Sequence, residues 1–376
     1  MMNWRRWAEE LYHLLRPGRR QEQSGYSSAR GQVTHVIVFD GTMSSLNPGR
    51  ESNAGLAYKL LCEAADTHQT CYYDAGAQWC DWRAPGDVVL GRPMNGRIRR
   101  AYGYLASRYR EGDRIILLGY SRGAYAARSL AGCIDRVGLL RARHATERNI
   151  LTAFRHYQQG GKSEAARAFS RLFCYPRTEI EMIGVWDTVK ALGLRLPVLW
   201  RLTEPAHAFH NHDLGPSVRS GYHALALDET RLAFAPVLWH TPRDYDGHVE
   251  QVWFRGTHGD IGGQLDGVEE ARPLANIPFC WMMERLEEHG VALPAGWRAR
   301  FPTDPRAPSV GTWQGWGKLF LLRKARVIGR DPSERLHESV LASGHPLPAS
   351  LAGRIAPESA SQATSRSVVE ERSPSA

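Results

Sequence analysis

The sequence predicts an α/β fold with a mostly parallel central sheet and helices on both faces. Short apolar, β-rich runs alternate with longer helical patterns from residue 33 to residue 186, which is typical of βαβ units. One such run, residues 115–118, leads directly into the pentapeptide GYSRG at residues 119–123 and then into an Ala-rich helical pattern. Strand, G-x-S-x-G and helix together indicate a nucleophile elbow.

The predicted elements of the first half follow from hydrophobic periodicity and from glycine and proline positions. In chain order they are strand 33–39, helix 53–65, strand 70–75, loop 76–91, helix 96–109, strand 115–118, a helix ending near residue 138, polar helices over 141–178 and strand 179–186.

The second half is predicted with the same rules. We expect a helical pattern over 223–231 whose charges are structural, a strand over 249–254, a helix over 272–290 with a buried Trp-Met-Met stripe, and domain completion by 313–327 and 336–341. Residues 192–215 are apolar and irregular, and we interpret them as a lid or acyl-chain wall, with a buried connection as the alternative.

Length and composition suggest three segments of a globular protein. The 376 residues suit one large α/β domain over 31–345, preceded by a basic amphipathic segment at 1–30 and followed by a disordered tail at 346–376. The net charge of +9 comes mainly from arginine, but no nucleic-acid-binding motif is visible, so we expect no nucleic-acid partner. The sequence contains no secretory leader and no apolar run of about 18 residues, which predicts a cytoplasmic location in the producing cell.

The first segment has its own pattern. Trp4, Trp7 and Leu11 recur at helical spacing among several arginines. A basic amphipathic helix with tryptophans suits a membrane surface or a docking groove, and packing against the domain is the alternative.

Three residue types needed for acyl transfer follow predicted strands. Ser121 lies in the elbow, Asp187 directly follows the strand ending at Trp186, and His258 lies in a glycine-rich loop after the strand ending at Phe254. The chain order nucleophile, acid, base is that of α/β-hydrolases. In this interpretation Ser121 attacks an acyl carbon, His258 transfers its proton, and Asp187 orients and stabilises the imidazolium.

Two other site assignments stay open at this point. Asp260 and His337 also follow Ser121 in the order acid, base, so spacing does not decide between the two pairs. A metal-dependent hydrolase could use Asp40, Asp187, His258 and Asp260, although a lone His-x-Asp pair is a weak metal signal and Asp260 is better suited to cap the following turn. We therefore predict no metal and no cofactor, with a calcium requirement left open.

The loop after the first strand predicts an oxyanion hole. Asp40, Gly41 and Thr42 end the strand, and the N–H groups of Gly41 and Thr42 would join that of Arg122, the residue after the nucleophile. A phosphatase of the Asp-x-Asp-Gly-Thr type is excluded because Val38 occupies the position of its nucleophile.

Six ordered motifs resemble the catalytic domain of the type VI secretion phospholipase effectors (Tle-type). They are VIVFDGT, GYSRGAYAARSLAG, GVWDTVKALG, HALALDETRLAFAP, WFRGTHGDIGG and LHESV, and the resemblance covers roughly residues 33–341. The resemblance implies an α/β-hydrolase fold and phospholipase A cleavage of membrane glycerophospholipids. It places the family's serine, aspartate and histidine on Ser121, Asp187 and His258. It also implies a secretion-system carrier, an immunity protein and delivery to a target-cell periplasm or membrane.

The sequence thus predicts a serine esterase that acts on lipid esters, most specifically a phospholipase A. The alternatives are an esterase for another class of substrate and a non-catalytic binding domain that keeps the hydrolase fold. Retention of Ser121, Asp187 and His258 at three strand ends disfavours the non-catalytic alternative.

Overall fold

The computed structural model describes residues 30–76, 92–189, 214–242, 244–313 and 321–346. Within these ranges seven parallel strands form one sheet in the order β2-β1-β3-β4-β5-β6-β7. The strands are β1 (Thr34–Phe39), β2 (Gln69–Asp74), β3 (Arg114–Tyr120), β4 (Ile180–Trp186), β5 (Val218–Ala226), β6 (His248–Phe254) and β7 (Glu334–Leu336). The chain has the α/β-hydrolase type of fold predicted from its sequence.

Eight α-helices connect or cover these strands in the described ranges. They are α1 (Asn53–Glu63), α2 (Arg92–Arg108), α3 (Arg122–Val137), α4 (Glu147–Gln158), α5 (Glu164–Phe173), α6 (His258–Gly262), α7 (Arg272–Glu288) and α8 (Glu338–Ala342). Most of the predicted boundaries agree with these within a few residues, and the Trp281-Met282-Met283 stripe of α7 is buried as expected.

The helices cover both faces of the sheet. Since the side chains of a strand alternate between the faces, each strand can contribute residues to both cores. In β1, Ile37 and Phe39 enter a core shared with α2, α3, α4 and α5. Val36 and Val38 enter the opposite core, shared with α1 and α7. A strand buried on both faces reads as a continuous apolar run, which is why β1 and β3 could be recognised in the sequence.

One predicted helix is wrong. The pattern over residues 223–231 begins inside β5, where His223 pairs in register with Val185 of β4 and Gln251 of β6. Every residue of β5 except Arg219 is buried. Buried Ser220 and His223 interrupt the apolar residues of β5, so it lacks the continuous apolar run that marks β1 and β3.

Several predictions fall wholly or almost wholly outside the described residues. They concern the amphipathic segment 1–30, the loop 76–91, the lid 192–215 and the tail 346–376. Among the residues that are described, no helix combines the length and apolar character needed to cross a membrane.

The topology determines where a site can form. Since all seven described strands are parallel, their carboxyl ends lie along one edge of the sheet. The loops after β1, β3, β4 and β6 leave the sheet at this edge, and they carry the predicted site residues.

Candidate active site

Ser121 occupies the sharp turn between β3 and α3. Its backbone has φ +57° and ψ −120°, a conformation that residues other than glycine rarely adopt. Two glycines allow the turn to pack closely: a Cβ on Gly123 would lie 2.2 Å from the carbonyl oxygen of Phe39, and one on Gly119 would lie 2.6 Å from the Cα of Ala124. The sequence motif therefore has the strained turn geometry of an elbow.

His258 is the first residue of α6, immediately after β6. A capping box holds this helix start: the N–H and Oγ1 of Thr257 donate to Asp260 Oδ2 at 2.7 and 2.8 Å. The Nε2 atom of His258 lies 2.9 Å from Ser121 Oγ, within hydrogen-bonding distance.

Asp187 follows β4 and is fully buried, with φ +41°. Its Oδ2 lies 2.6 Å from His258 Nδ1, and its Oδ1 accepts a hydrogen bond from the Ala226 N–H at 3.2 Å. With the proton on Nδ1, the imidazole donates to Asp187 while Nε2 accepts the Ser121 hydroxyl proton. The structure thus brings Ser121, His258 and Asp187 into contact in this order, which is the arrangement that acyl transfer needs.

Two aromatic rings enclose the His258 imidazole. The Tyr120 ring centroid lies 5.0 Å from that of His258, and the Phe234 ring centroid lies 4.8 Å away. The Tyr120 hydroxyl also donates to the His258 carbonyl at 3.3 Å. These contacts restrict rotation of the imidazole and keep both ring nitrogens on their partners.

A buried ion pair supports the backbone of His258. Glu229 Oε2 accepts the His258 N–H at 3.1 Å and pairs with Arg231 Nη2 at 2.6 Å. Burial acts to raise the pKa of Glu229, but the hydrogen bonds and charge of Arg231 lower it below its ordinary value. Glu229 therefore stays ionised under the site, in the structural role expected from the sequence.

Sequence reasoning missed Arg326. Its guanidinium binds both oxygens of Asp187, with Nη1 2.5 Å from Oδ1 and Nη2 2.8 Å from Oδ2. Burial acts to raise the pKa of Asp187, but the charge and hydrogen bonds of Arg326, with those of His258, lower it below its ordinary value. Arg326 is 139 residues from Asp187 in the chain and lies in no recognisable motif, so no local pattern marked it.

The alternative pair Asp260 and His337 is engaged elsewhere. Asp260 accepts hydrogen bonds from Thr257, from Ser309 Oγ at 2.5 Å and from the Val310 N–H at 2.9 Å, so it caps and anchors the His258 loop. The His337 ring stacks on Phe254 with centroids 4.5 Å apart, and its Nδ1 lies 2.8 Å from Ser339 Oγ. Both residues make structural contacts, and His258 occupies the position beside Ser121.

The residues of the metal-site alternative are also engaged by other protein groups. In the part of the chain that the structure describes, no group of three or more His, Cys, Asp or Glu side chains could hold a metal ion. Asp40 binds the Gly41 N–H and Asp260 binds the N–H groups of Thr257 and Val310. Asp187 binds His258 and Arg326.

Asp40 anchors the predicted oxyanion loop. Its buried carboxylate accepts from Ser52 Oγ at 2.6 Å, from Tyr73 OH at 2.7 Å and from the Gly41 N–H at 2.6 Å. Burial raises the pKa of Asp40, and these hydrogen bonds oppose that effect. The Gly41 N–H, one of the three predicted oxyanion donors, is therefore already bonded within its own loop.

The other two predicted donors flank the elbow. Arg122 is the first residue of α3, where backbone N–H groups have no partner inside the helix. The loop of Gly41 and Thr42 packs directly on the elbow, since a Cβ on Gly41 would lie 2.6 Å from the Tyr120 ring. The Thr42 Oγ1 is buried and has no hydrogen-bond partner among the described residues. The Thr42 hydroxyl thus remains available at this edge.

Comparison with protein families gives one match of high coverage. A family described as "T6SS, Phospholipase effector Tle1-like, catalytic domain" matches residues 34–285, which include Ser121, Asp187 and His258. A curated relative, the uncharacterized protein YEL023C of Saccharomyces cerevisiae, is 28% identical over 248 residues, covering 59% of this chain and 34% of that protein. The chain thus spans about a third of the length of this relative.

Solved structures show more distant likenesses. An uncharacterized protein from Pseudomonas aeruginosa aligns with TM-score 0.45 and 15% identity over 81% of this chain and 53% of that one. The Tle1 effector bound to the VgrG spike of a type VI secretion system aligns with TM-score 0.33 and 18% identity over 64% and 53%. The esterase Est2 of Thermogutta terrifontis aligns with TM-score 0.37 and 14% identity over 72% and 87%. The chain spans about half the length of the first two of these proteins.

Proposed function

Because the chain belongs to the family of Tle1-like phospholipase effector catalytic domains of type VI secretion, we propose that it is a phospholipase A with a Ser121–His258–Asp187 triad. Family membership identifies it as a lipid ester hydrolase of the esterase and lipase type. The observation that supports the triad is the continuous series of contacts from Ser121 through His258 to Asp187. Ser121 Oγ lies 2.9 Å from His258 Nε2, and His258 Nδ1 lies 2.6 Å from Asp187 Oδ2.

The proposed first step is acylation of Ser121. His258 Nε2 accepts the hydroxyl proton as Oγ attacks the acyl carbon of the lipid, and Asp187 stabilises the imidazolium that forms. Imidazolium and carboxylate are held 2.6 Å apart in a buried site, where a charge-assisted hydrogen bond is strong. His258 then gives its proton to the departing lysolipid oxygen, which leaves an acyl-serine.

Deacylation repeats this proton transfer with water as the nucleophile and Ser121 Oγ as the leaving group, which receives the proton back from His258. Water enters beside His258, loses a proton to Nε2 and attacks the acyl-serine, which releases a fatty acid and regenerates the Ser121 hydroxyl. In both steps we assign the oxyanion to the N–H groups of Arg122 and Thr42, with Asp40 and Gly41 holding the loop in place. Donors of this kind contribute about 10²–10³ in kcat.

Positive charge beside the nucleophile supports a phosphate-bearing substrate. Arg122 follows Ser121 directly, and burial together with the positive charge of Arg97 lowers the pKa of its guanidinium to about 10. Arg97 in turn donates to the carbonyl of Asp40 in the oxyanion loop at 2.9 Å, and its charge is paired with that of Asp74. The guanidinium of Arg122 is thus the cation next to the nucleophile that favours an anionic headgroup over a neutral ester.

From the family we also propose a secretion-system carrier, an immunity protein and action on a target-cell membrane.

We propose that the chain is divided into a basic segment at 1–30, a catalytic domain at 31–345 and a tail at 346–376. The basic segment is proposed to contact a membrane, so removal of residues 1–30 should weaken binding to anionic vesicles. Unchanged binding would refute this role.

A fluorophosphonate probe tests the proposed nucleophile. The purified chain should be labelled at Ser121, because the probe traps a serine activated by a neighbouring base. Ser121→Ala should abolish the labelling while the protein keeps its fold. Absence of labelling in the folded wild-type protein would contradict the proposal and favour a non-catalytic domain.

A further inference from the structure

Arg326 binds the acid of the proposed triad directly. Its two terminal nitrogens meet the two oxygens of Asp187 at 2.5 and 2.8 Å, the bidentate geometry of an arginine–carboxylate pair. Both side chains are buried, with Arg326 3% and Asp187 0% exposed. Asp187 Oδ2 is therefore shared between Arg326 and His258.

The guanidinium is itself fixed by backbone carbonyl groups. Nη1 donates to the Ala226 oxygen at 2.9 Å, at the end of β5, and Nη2 donates to the Phe234 oxygen at 2.7 Å. Phe234 also places its ring against His258. Arg326 thus connects the acid, a strand end and one wall of the imidazole pocket in a single rigid arrangement.

We propose that Arg326 is a positioning residue that fixes the Asp187 carboxylate and limits how strongly this carboxylate stabilises the His258 imidazolium. This inference rests on the proposed triad. A carboxylate that serves only an imidazole stabilises the imidazolium strongly. When a guanidinium shares that carboxylate, the imidazolium gains less of this stabilisation.

The other charged or titratable groups near Asp187 and His258 do not substitute for Arg326. They are Tyr120, His223, Glu229 and Arg231. Glu229 and Arg231 neutralise each other in an ion pair. Burial raises the pKa of Tyr120, and burial with the charge of Arg128 lowers the pKa of His223 to about 3, so both are neutral near pH 7. Arg326 is the cation in direct contact with the acid.

The pH dependence of kcat/KM for a soluble ester, p-nitrophenyl butyrate, tests this role in the full chain. On the acid side of the profile kcat/KM falls with falling pH, and we call this part the acid limb. In Arg326→Gln, Asp187 faces His258 alone, so the acid limb should move to higher pH by about one unit. The plateau should fall about tenfold or more because the carboxylate loses its fixed orientation. Arg330→Gln, which neutralises an exposed arginine of the same segment, should match the wild type in both respects. An unmoved acid limb in folded Arg326→Gln would overturn the proposal.

A second variant covers the case in which Arg326→Gln does not fold. Arg326→Lys keeps the charge but has no planar fork, so its acid limb should stay within about 0.3 unit of wild type while its plateau falls about tenfold. A wild-type plateau in Arg326→Lys would overturn the positioning role. Ser121→Ala separates this test from the proposed function. If Ser121→Ala still hydrolyses the ester, the proposed triad is wrong. If hydrolysis depends on Ser121 but the acid limb of Arg326→Gln does not move, only the role proposed for Arg326 is wrong.

Discussion

Individual residues in this site combine backbone strain with dense electrostatic contacts. Ser121 and Asp187 have φ values of +57° and +41°, which L-residues rarely adopt. Each such position costs on the order of 1–3 kcal/mol and persists only where surrounding contacts enforce it. For Asp187 the enforcing contacts are His258, Ala226 and Arg326, so removal of its charge should affect both activity and stability.

Asp187→Asn should therefore lower kcat by about 10³–10⁴, because the amide no longer stabilises the imidazolium or selects the reactive tautomer. It should also lower the free energy of unfolding by about 3 kcal/mol, since Arg326 stays buried without its carboxylate. Urea denaturation with activity assays measures both effects.

Ser121→Ala is the matched control for this prediction. It should be as inactive as Asp187→Asn but should change the free energy of unfolding by less than about 1 kcal/mol. Equal stability of the two variants would show that the Asp187–Arg326 pair contributes no net stabilisation.

The sequence allowed prediction of these site residues only where a pattern surrounds them. Ser121 has its elbow motif, and Asp187 and His258 follow recognisable strands, so their meeting at one sheet edge could be expected. Arg326 has no such pattern, and its pairing with Asp187 depends on how a distant segment folds over the site. Engagement of the Gly41 N–H by Asp40 likewise depends on the rotamer of one buried side chain.

At the level of elements, the loop after β1 and the start of α3 are packed against each other through Gly123. A Cβ there would lie 2.2 Å from the Phe39 oxygen and 2.5 Å from the Asp40 oxygen. Both are backbone atoms, so the loop that carries Thr42 would have to shift to accommodate any side chain.

Gly123→Ala should consequently reduce kcat/KM by about 10² or more and lower stability, because displacement of the loop or elbow by about 1 Å disturbs the oxyanion geometry. The comparison is Gly96→Ala in α2, where the nearest atom to a new Cβ is Arg100 Nη1 at 3.5 Å.

Gly96→Ala should retain wild-type activity and gain about 0.5–1 kcal/mol of stability from helix propensity. Kinetics and thermal unfolding of the two variants check this contrast. Wild-type kinetics in Gly123→Ala would mean that the loop position is not important for the reaction.

Elements with clear signals were predicted well, and the exception has a physical cause. β1 and β3 are apolar runs bounded by polar or glycine-rich loops, and α7 begins with Arg272-Pro273, a helix start marked by proline. β5 was mistaken for a helix because buried Ser220 and His223 interrupt its apolar residues, which leaves no continuous apolar run. Only the pairing with β4 and β6 identifies it as a strand.

At the scale of the whole molecule, burial of histidines links stability to pH. Burial and the charge of Arg128 lower the pKa of His223 to about 3, and burial and the charge of Arg285 lower the pKa of His337 to about 4. Both histidines are neutral in the folded protein at pH 5, whereas the unfolded chain protonates them below about pH 6.5. The unfolded state binds more protons in this window, so stability falls as pH falls.

The free energy of unfolding should thus decrease between pH 6.5 and pH 5 by up to about 1.4 kcal/mol per pH unit for each histidine. His337→Asn removes one titrating group and keeps a side chain that can cap α8. Its stability should therefore fall less steeply, by about 1 kcal/mol per unit, in urea denaturation at pH 5 and pH 7. Parallel pH dependences for the variant and the wild type would contradict this account.

The whole molecule also shows that the site extends beyond the family match. The match ends at residue 285, while Arg326 and β7 lie further along the chain. The fold class followed from the sequence because alternating strands and helices permit few arrangements. The contribution of the later segment could not be predicted, since its contacts to Asp187, Ala226 and Phe234 are long-range.

The most direct test of the central claim is hydrolysis of defined phospholipids. Wild-type protein and Ser121→Ala should be incubated with vesicles of phosphatidylethanolamine and phosphatidylglycerol, with fatty acids and lysolipids measured by mass spectrometry. We predict equimolar release of fatty acid and lysolipid by the wild type and a loss of at least about 10³-fold in Ser121→Ala. Undiminished release by Ser121→Ala, or no release by wild-type protein that the fluorophosphonate probe labels, would contradict the assignment of this chain as a Ser121-dependent phospholipase A.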